Sequence, residues 1–137
     1  INQVSKKRET QQVNSALESR LKTLSYINYN FKDSEYVLLS KIMLLSSDVT
    51  FDEIKDFMII KQKILFANSN NFFERHGFQK YLIELENICF QKYFVNRQRY
   101  SVKLIFQYYR IRGKTKFQLK LIDQLKLFIK SIIHYKN

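Results

Sequence analysis

Residues 93–116, YFVNRQRYSVKLIFQYYRIRGKTK, carry Lys or Arg at 97, 99, 103, 110, 112, 114 and 116 and contain no acid. Tyr93, Phe94, Tyr100, Phe106, Tyr108 and Tyr109 are interleaved with those charges. A folded chain that collects so many like charges, with no acid to pair them, needs an external counter-charge. The pattern predicts a basic strand feeding a basic, largely buried helix, with most of the aromatics in the core.

The imbalance is regional. Residues 92–137 hold twelve Lys/Arg and one acid, Asp123, whereas residues 1–91 hold twelve Lys/Arg and eleven acids. Nearly all of the net charge of +12 therefore belongs to the last third. A bias placed in this way implies a polyanion on one side of the molecule, most often nucleic acid. An anionic membrane surface would require a more one-sided amphipathic helix than the pattern offers. The 137 residues suffice for one domain with one modest core. No apolar run approaches the ~18 residues of a membrane span, since YVLLSKIMLLSS is interrupted by Lys41. Pro and Trp are absent, Gly occurs twice, and Phe, Tyr, Ile, Lys and Asn are abundant. That composition points to an AT-rich gene, and the initial Ile fits either an organellar start codon or a trimmed chain.

Residues 1–12 read as a polar, basic tail whose Lys6, Lys7 and Arg8 form either a solvated cluster or a nucleic-acid-binding arm. The remainder, 13–137, reads as one helical domain, which carries the nucleic-acid-binding surface. Val13, Leu17, Leu21 and Leu24 mark a helix with a thin apolar stripe. Ser34 is a candidate N-cap for a central apolar helix over about 35–46. Thr50-Phe51-Asp52-Glu53 is a capping box, followed by a face of Ile54, Phe57, Met58, Lys61, Ile64 and Leu65. After the loop Asn68–Asn71, a short helix at about 71–80 is expected to bend or end near Gly77. Residues 82–95 read as a short β-hairpin.

Over about 99–112 one helix is expected to be buried on two sides, by Val102, Ile105, Phe106 and Tyr109 and by Leu104, Tyr108 and Ile111. Between them Arg99, Lys103, Gln107, Arg110 and Lys114 fall within one sector at ~100° per residue. Gly113 ends this helix and Thr115 caps the next. The core face expected there is Phe117, Leu121, Ile122, Leu125, Phe128, Ile129 and Ile132, with Lys116, Lys120, Lys126 and Lys130 opposite. The fold class is thus mainly α, a helical bundle with a short hairpin arm.

Catalytic and metal chemistry find little support. His76 and His134 sit in no ligand or catalytic spacing, and Cys89 has no cysteine to pair with. Asp52, Glu53 and Asp56 belong to the start of a helix, where the dipole favours acids. No Gly-rich phosphate loop or nucleophile elbow is present. The expectation is a protein that is not an enzyme and that takes no metal or cofactor.

The order of pieces resembles a known family, small-subunit ribosomal protein seven, over about residues 34–130. VLLSKIM, with Lys41, Ile42 and Met43, is similar to the end of a family helix. Phe73-Glu74, then Lys80 and Leu82-Ile83-Glu84-Leu85, resemble the approach to the family's hairpin, and Phe90-Gln91 its return. Arg97, Arg99, Ser101, Val102, Leu104 and Phe106, then Arg110, Arg112 and Lys114, resemble its Arg-rich turn and basic helix, with Phe106 in place of a Trp. The hairpin's glycine pair is missing, and Leu44–Asp48 replaces a basic loop.

The resemblance implies a structural constituent of the mitochondrial ribosome's small subunit, in the matrix, binding ribosomal RNA in the subunit head. It implies ribosomal proteins of the head as neighbours, with the hairpin near messenger RNA and exit-site transfer RNA, and no membrane insertion. The expected RNA-binding residues are Lys6, Lys7, Arg8, Lys92, Arg97, Arg99, Lys103, Arg110, Arg112, Lys114 and Lys116. Tyr93 and Tyr100 are the candidates for stacking on unpaired bases. Two other readings compete: a helical DNA-binding module that reads with 99–112, and a matrix-side accessory subunit of a respiratory complex.

Overall fold

Short polar signals start and stop the helices in this glycine-poor chain. A computed structural model describes residues 2–27, 29–46, 48–95 and 100–133, and for 2–10 the backbone alone. Six α-helices run through the described residues: α1 Asn2–Leu24, α2 Asp33–Met43, α3 Phe51–Ala67, α4 Arg75–Val95, α5 Val102–Arg112 and α6 Leu121–Ile133. The chain divides into two compact units, 1–86 and 87–137.

In the first unit α2 packs against α1 and α3. The capping box at Thr50 forms as its sequence predicts. Glu53 N–H donates to Thr50 Oγ1 at 3.2 Å, and Thr50 N–H donates to Glu53 Oε2 at 2.7 Å. The Glu53 carboxylate also receives Lys41 Nζ at 2.9 and 3.1 Å, which ties the start of α3 to α2. Glu35 does similar work for α2. It accepts the Lys32 backbone N–H at 3.0 Å and the Tyr29 hydroxyl at 2.8 Å, so the helix begins one residue before Ser34, the expected cap. Leu39, Ile42, Ile54, Phe57, Ile64 and Leu82 are fully buried, which makes α2 and α3 the centre of this unit's core. Lys61 lies on the buried face of α3 and forms an ion pair with Glu86 of α4.

Asn68 secures the loop after α3. Its side chain accepts the Phe73 N–H at 3.1 Å and donates to the Phe73 carbonyl at 2.9 Å. Asn71 takes a left-handed φ of 51°, which asparagine tolerates well. Glu74 then caps α4 by accepting N–H bonds from His76 at 2.8 Å and Gly77 at 2.6 Å.

Several expectations are corrected. The segment 2–12, read as a tail, forms the first half of α1. Gly77 does not break a helix; it lies in the first turn of α4, under the Glu74 carboxylate. Residues 82–95 are helical, and no strand occurs among the described residues. The alternation in Tyr81–Glu86 misled because Leu82, Leu85, Cys89 and Phe90, at spacings of three and four, mark the buried side.

The second unit is held by aromatics. Phe94 meets Tyr108 edge-on at 5.5 Å, Phe90 meets Phe94 at 6.4 Å and Phe117 at 5.1 Å, and Tyr93 meets Phe94 at 5.2 Å. Helix α5 packs on α6 and is buried through Leu104, Tyr108 and Ile111 alone. Of its second expected core face, Val102 and Ile105 are half-buried, whereas Phe106 is 71% and Tyr109 48% exposed. Thr115 does not cap the last helix. Its hydroxyl donates to the Ile111 carbonyl at 3.1 Å and accepts the Phe117 N–H at 3.2 Å, closing the end of α5. Residues 116–120 lie outside any helix, with Phe117 and Leu119 buried and Lys116, Gln118 and Lys120 exposed. The expected core face of α6 is also corrected. Leu121, Ile122, Leu125, Ile129 and Ile132 are exposed, and Asp123, Leu127 and Ser131 are buried. Of that expected face Phe117 is buried, against Phe90, and Leu119 is buried as well, its N–H donating to the Tyr108 hydroxyl at 3.3 Å.

Two stability predictions arise from the first unit. Lys61→Met leaves the buried Glu86 side chain without its partner, and is expected to cost ~3–5 kcal/mol. Adding Glu86→Leu should recover most of that loss, as read by urea denaturation; a double variant no better than the single one would refute the account. For Glu35 and Glu53, burial raises the carboxyl pKa. The Lys32 N–H, Tyr29 and Lys63 around Glu35, and Lys41 and Thr50 around Glu53, outweigh it and hold both below the ordinary range. The unfolded chain therefore binds more protons in acid. This stabilisation is present above the unfolded carboxylate pKa and is lost as pH falls through the folded value. Tm should be level above about pH 5 and drop below it, with the drop shallower in Glu53→Gln.

Candidate nucleic-acid interface

The two units handle their cations differently. In the first, four lysines face carboxylates, Lys41 with Glu53 and Asp48, Lys55 with Asp52, Lys61 with Glu86, and Lys63 with Glu35, while Arg20, Lys22, Lys32, Arg75 and Lys80 are exposed and form no ion pair among the described residues. In the second, Asp123 is the sole acid, and it is buried with Lys126 Nζ at 3.8 Å. Among the described residues Lys103, Arg110, Arg112, Lys114, Lys116 and Lys120 are exposed and form no ion pair. Each is a solvated cation available to an anion from outside.

Helix geometry gathers part of this set. Lys103, Gln107 and Arg110 lie in one sector of α5 by their spacing, beside the buried row Leu104, Tyr108 and Ile111. The row is a fixed base: Tyr108 is fully buried, with its ring against Phe94 and its hydroxyl accepting the Leu119 N–H. Gln107 is pinned in the middle of the stripe, accepting the Tyr93 hydroxyl at 3.0 Å. Arg110 and Arg112 also occupy the last turn of α5, where the negative end of the helix dipole favours cations. The dipole explains the tolerance of two charges there, but not the unpaired Lys114, Lys116 and Lys120 that follow.

Beyond the helix the 116–120 segment takes over. Its period of two points Lys116, Gln118 and Lys120 outward while Phe117 and Leu119 anchor it. A cleft of about 310 Å³ opens beside it, with Asn87, Gln91, Lys116, Gln118, Lys120 and Asp123 among its lining. Amides and ammonium groups at one concavity offer donors and acceptors to a base edge and positive charge to a phosphate. Lys120 and the cleft amides were not expected at a site. Their signal was the alternation of 116–120, which a helical reading of that segment conceals.

The remaining expected residues divide as follows. Lys92 is half-buried on α4. Arg97 and Arg99 lie outside the described residues, as do the side chains of Lys6, Lys7 and Arg8. Tyr93 and Tyr100 are 7% and 8% exposed and cannot stack on bases. The open rings on α5 are Phe106 and Tyr109. The expected approach of a hairpin to messenger and transfer RNA loses its basis, because that segment is the second half of α4.

Among the described residues no group of three or more His, Cys, Asp or Glu is arranged to hold a metal ion. Comparison with protein-family models, curated proteins and solved structures finds no match to this chain.

Tyr108→Phe tests the base of the stripe. It removes the acceptor of the buried Leu119 N–H and should cost ~1–3 kcal/mol of stability, read by thermal denaturation. An unchanged Tm would show that the bond does not anchor the 116–120 segment.

Proposed function

We propose that the second unit binds structured RNA through the Lys103–Arg110 stripe and the Lys114–Lys120 segment. The observation that supports this most is the set of six exposed cations without an acid partner, on a rigid aromatic base. Such a surface neutralises phosphates and releases their counter-ions, which yields strong, salt-sensitive binding. The cleft at Lys116 and Lys120 adds a place for an unpaired nucleotide, in keeping with recognition of RNA by loops and backbone shape.

The more specific form of the proposal rests on the resemblance to small-subunit ribosomal protein seven. It makes the chain a ribosomal RNA-binding constituent of a mitochondrial small subunit, seated among the proteins of its head. The basic corner and helix, Ser101 to Lys114, support it, and so does the AT-rich composition. The helical 82–95 segment departs from that family's hairpin.

One observation favours the DNA-binding reading. Helix α5 is fully buried on one side only, through Leu104, Tyr108 and Ile111, which leaves Phe106, Tyr109 and the basic stripe open to a groove. Competition separates the two: structured ribosomal RNA should displace a labelled RNA at far lower concentration than duplex DNA of equal length.

The triple change Lys103→Gln, Arg110→Gln and Lys114→Gln should weaken RNA binding strongly without lowering Tm. It should also reduce the slope of log K against log salt by about 2–3, roughly 0.7–0.9 per lost phosphate contact. Unaltered affinity would remove the stripe from the interface.

A further inference from the structure

Helix α6 turns its apolar side away from the unit that holds it. At ~100° per residue, Leu121, Ile122, Leu125, Ile129 and Ile132 share one side, and Asp123, Leu127 and Ser131 lie roughly opposite. The structure buries the second group, including a Ser131 hydroxyl with no hydrogen-bond partner. It exposes the first group by 77, 62, 60, 54 and 53% respectively. An amphipathic surface helix ordinarily does the reverse; contrary to the expectation from the sequence, α6 is one-sided enough to meet a membrane surface. The apolar surface continues onto α5, where Tyr109 meets Phe128 at 5.9 Å and Phe106 lies one turn earlier. Together these side chains expose on the order of 700 Å², more than a monomer ordinarily leaves in one patch.

Charge selects what covers it. The exposed Lys126 and Lys130 flank the apolar side of α6, and Lys130 also lies 4.9 Å from the Tyr100 ring centre. From residue 87 onward the chain carries twelve cations and one acid. A second copy would bring the same surplus against it. Nucleic acid would neutralise the lysines but offers no aliphatic surface for five Leu and Ile side chains. An anionic bilayer supplies both: acyl chains for the aliphatics and headgroups for the lysines, with Phe106 and Tyr109 at the boundary. No helix among the described residues is long and apolar enough to cross a membrane, so α6, at 13 residues, would lie in the plane of the surface. We propose that α6, with the Phe106–Tyr109 edge of α5, seats peripherally on an anionic lipid surface. The proposal uses side chains other than the Lys103–Arg110 stripe and does not depend on the RNA reading.

The test is flotation of the full chain with vesicles of phosphatidylcholine, with and without phosphatidylglycerol. The chain should float with the anionic vesicles and not with the neutral ones. Leu125→Ser with Ile129→Ser, which leave the net charge unchanged, should cut the floated fraction about tenfold, since an in-plane helix binds by its apolar face as well as by its charge. Because both positions are exposed, circular dichroism and RNA affinity should be unchanged. The chain has no tryptophan, so Ile129→Trp provides a single emitter whose spectrum should shift to the blue on anionic vesicles. Equal flotation of the double variant would mean that charge alone attracts the protein, and would overturn the proposal. So would a wild-type chain that fails to float. A dimer in sedimentation that the double variant abolishes would assign the face to a second copy instead. Loss of vesicle binding would not touch the RNA reading, which is scored on Lys103, Arg110 and Lys114.

Discussion

Like-charge repulsion governs the second unit. Twelve cations and one acid occupy residues 87–137, and no internal rearrangement can neutralise them. The solution is a segregated one. Phe90, Phe94, Tyr108 and Phe117 form the interior, and the exposed cations point into solvent, where their repulsion is screened. The side chains that bridge these layers are amphipathic. Tyr108 accepts from Leu119, and Tyr93 donates to Gln107. Each keeps its ring in the core and uses its hydroxyl to hold backbone or stripe in place. The same repulsion that the core withstands is what makes the surface a ready site for a polyanion.

The first unit is built on a different balance. Several of its acids, Glu35, Glu53, Glu74 and Glu86 among them, serve as caps or ion-pair partners, and its acids nearly match its cations in number. Glu35 and Glu53 each start a helix and hold a second element, Tyr29 with Lys63 in one case and Lys41 in the other. Leu45 takes a left-handed φ of 52° at the end of α2, a conformation that glycine would adopt at lower cost. The chain accepts that strain where Ser46 N–H closes back on the Lys41 carbonyl at 3.1 Å. In such a setting the buried Lys61–Glu86 pair fixes register more than it adds stability, since each partner is costly without the other.

Both proposed surfaces lie in the second unit. The second unit holds an unpaired basic stripe, a cleft with amides and ammonium groups, and an outward apolar helix face. These are three kinds of surface feature within 51 residues. A polyanion satisfies the first two, whereas the third requires an apolar partner. A protein joining RNA to an anionic surface, or moving between them, would need such a combination.

Much of this was legible in the residues. Thr50 and Glu53, a local pair, formed their box because capping depends on four consecutive residues and little else. The end of α5 at Gly113 and the 68–71 turn were visible for the same reason, and the charge surplus after residue 92 by counting, whereas α5 begins at Val102 and not at about 99. The conformation of 82–95 was not, because a short apolar–acidic alternation is compatible with strand or helix and the decision came from the buried row that continues to Phe94. The direction faced by α6 was hidden as well. Periodicity shows that Leu121, Ile122, Leu125, Ile129 and Ile132 share a side, and burial normally follows. Whether that side meets the unit's own core depends on what else fills the core, and here Phe117 and Leu119 do. Sequence alone therefore determined that a cationic surface and an amphipathic helix exist. Tertiary packing decided which residues of the surface are free and left the helix's apolar side outside, because only the competition for interior volume settles which face is covered.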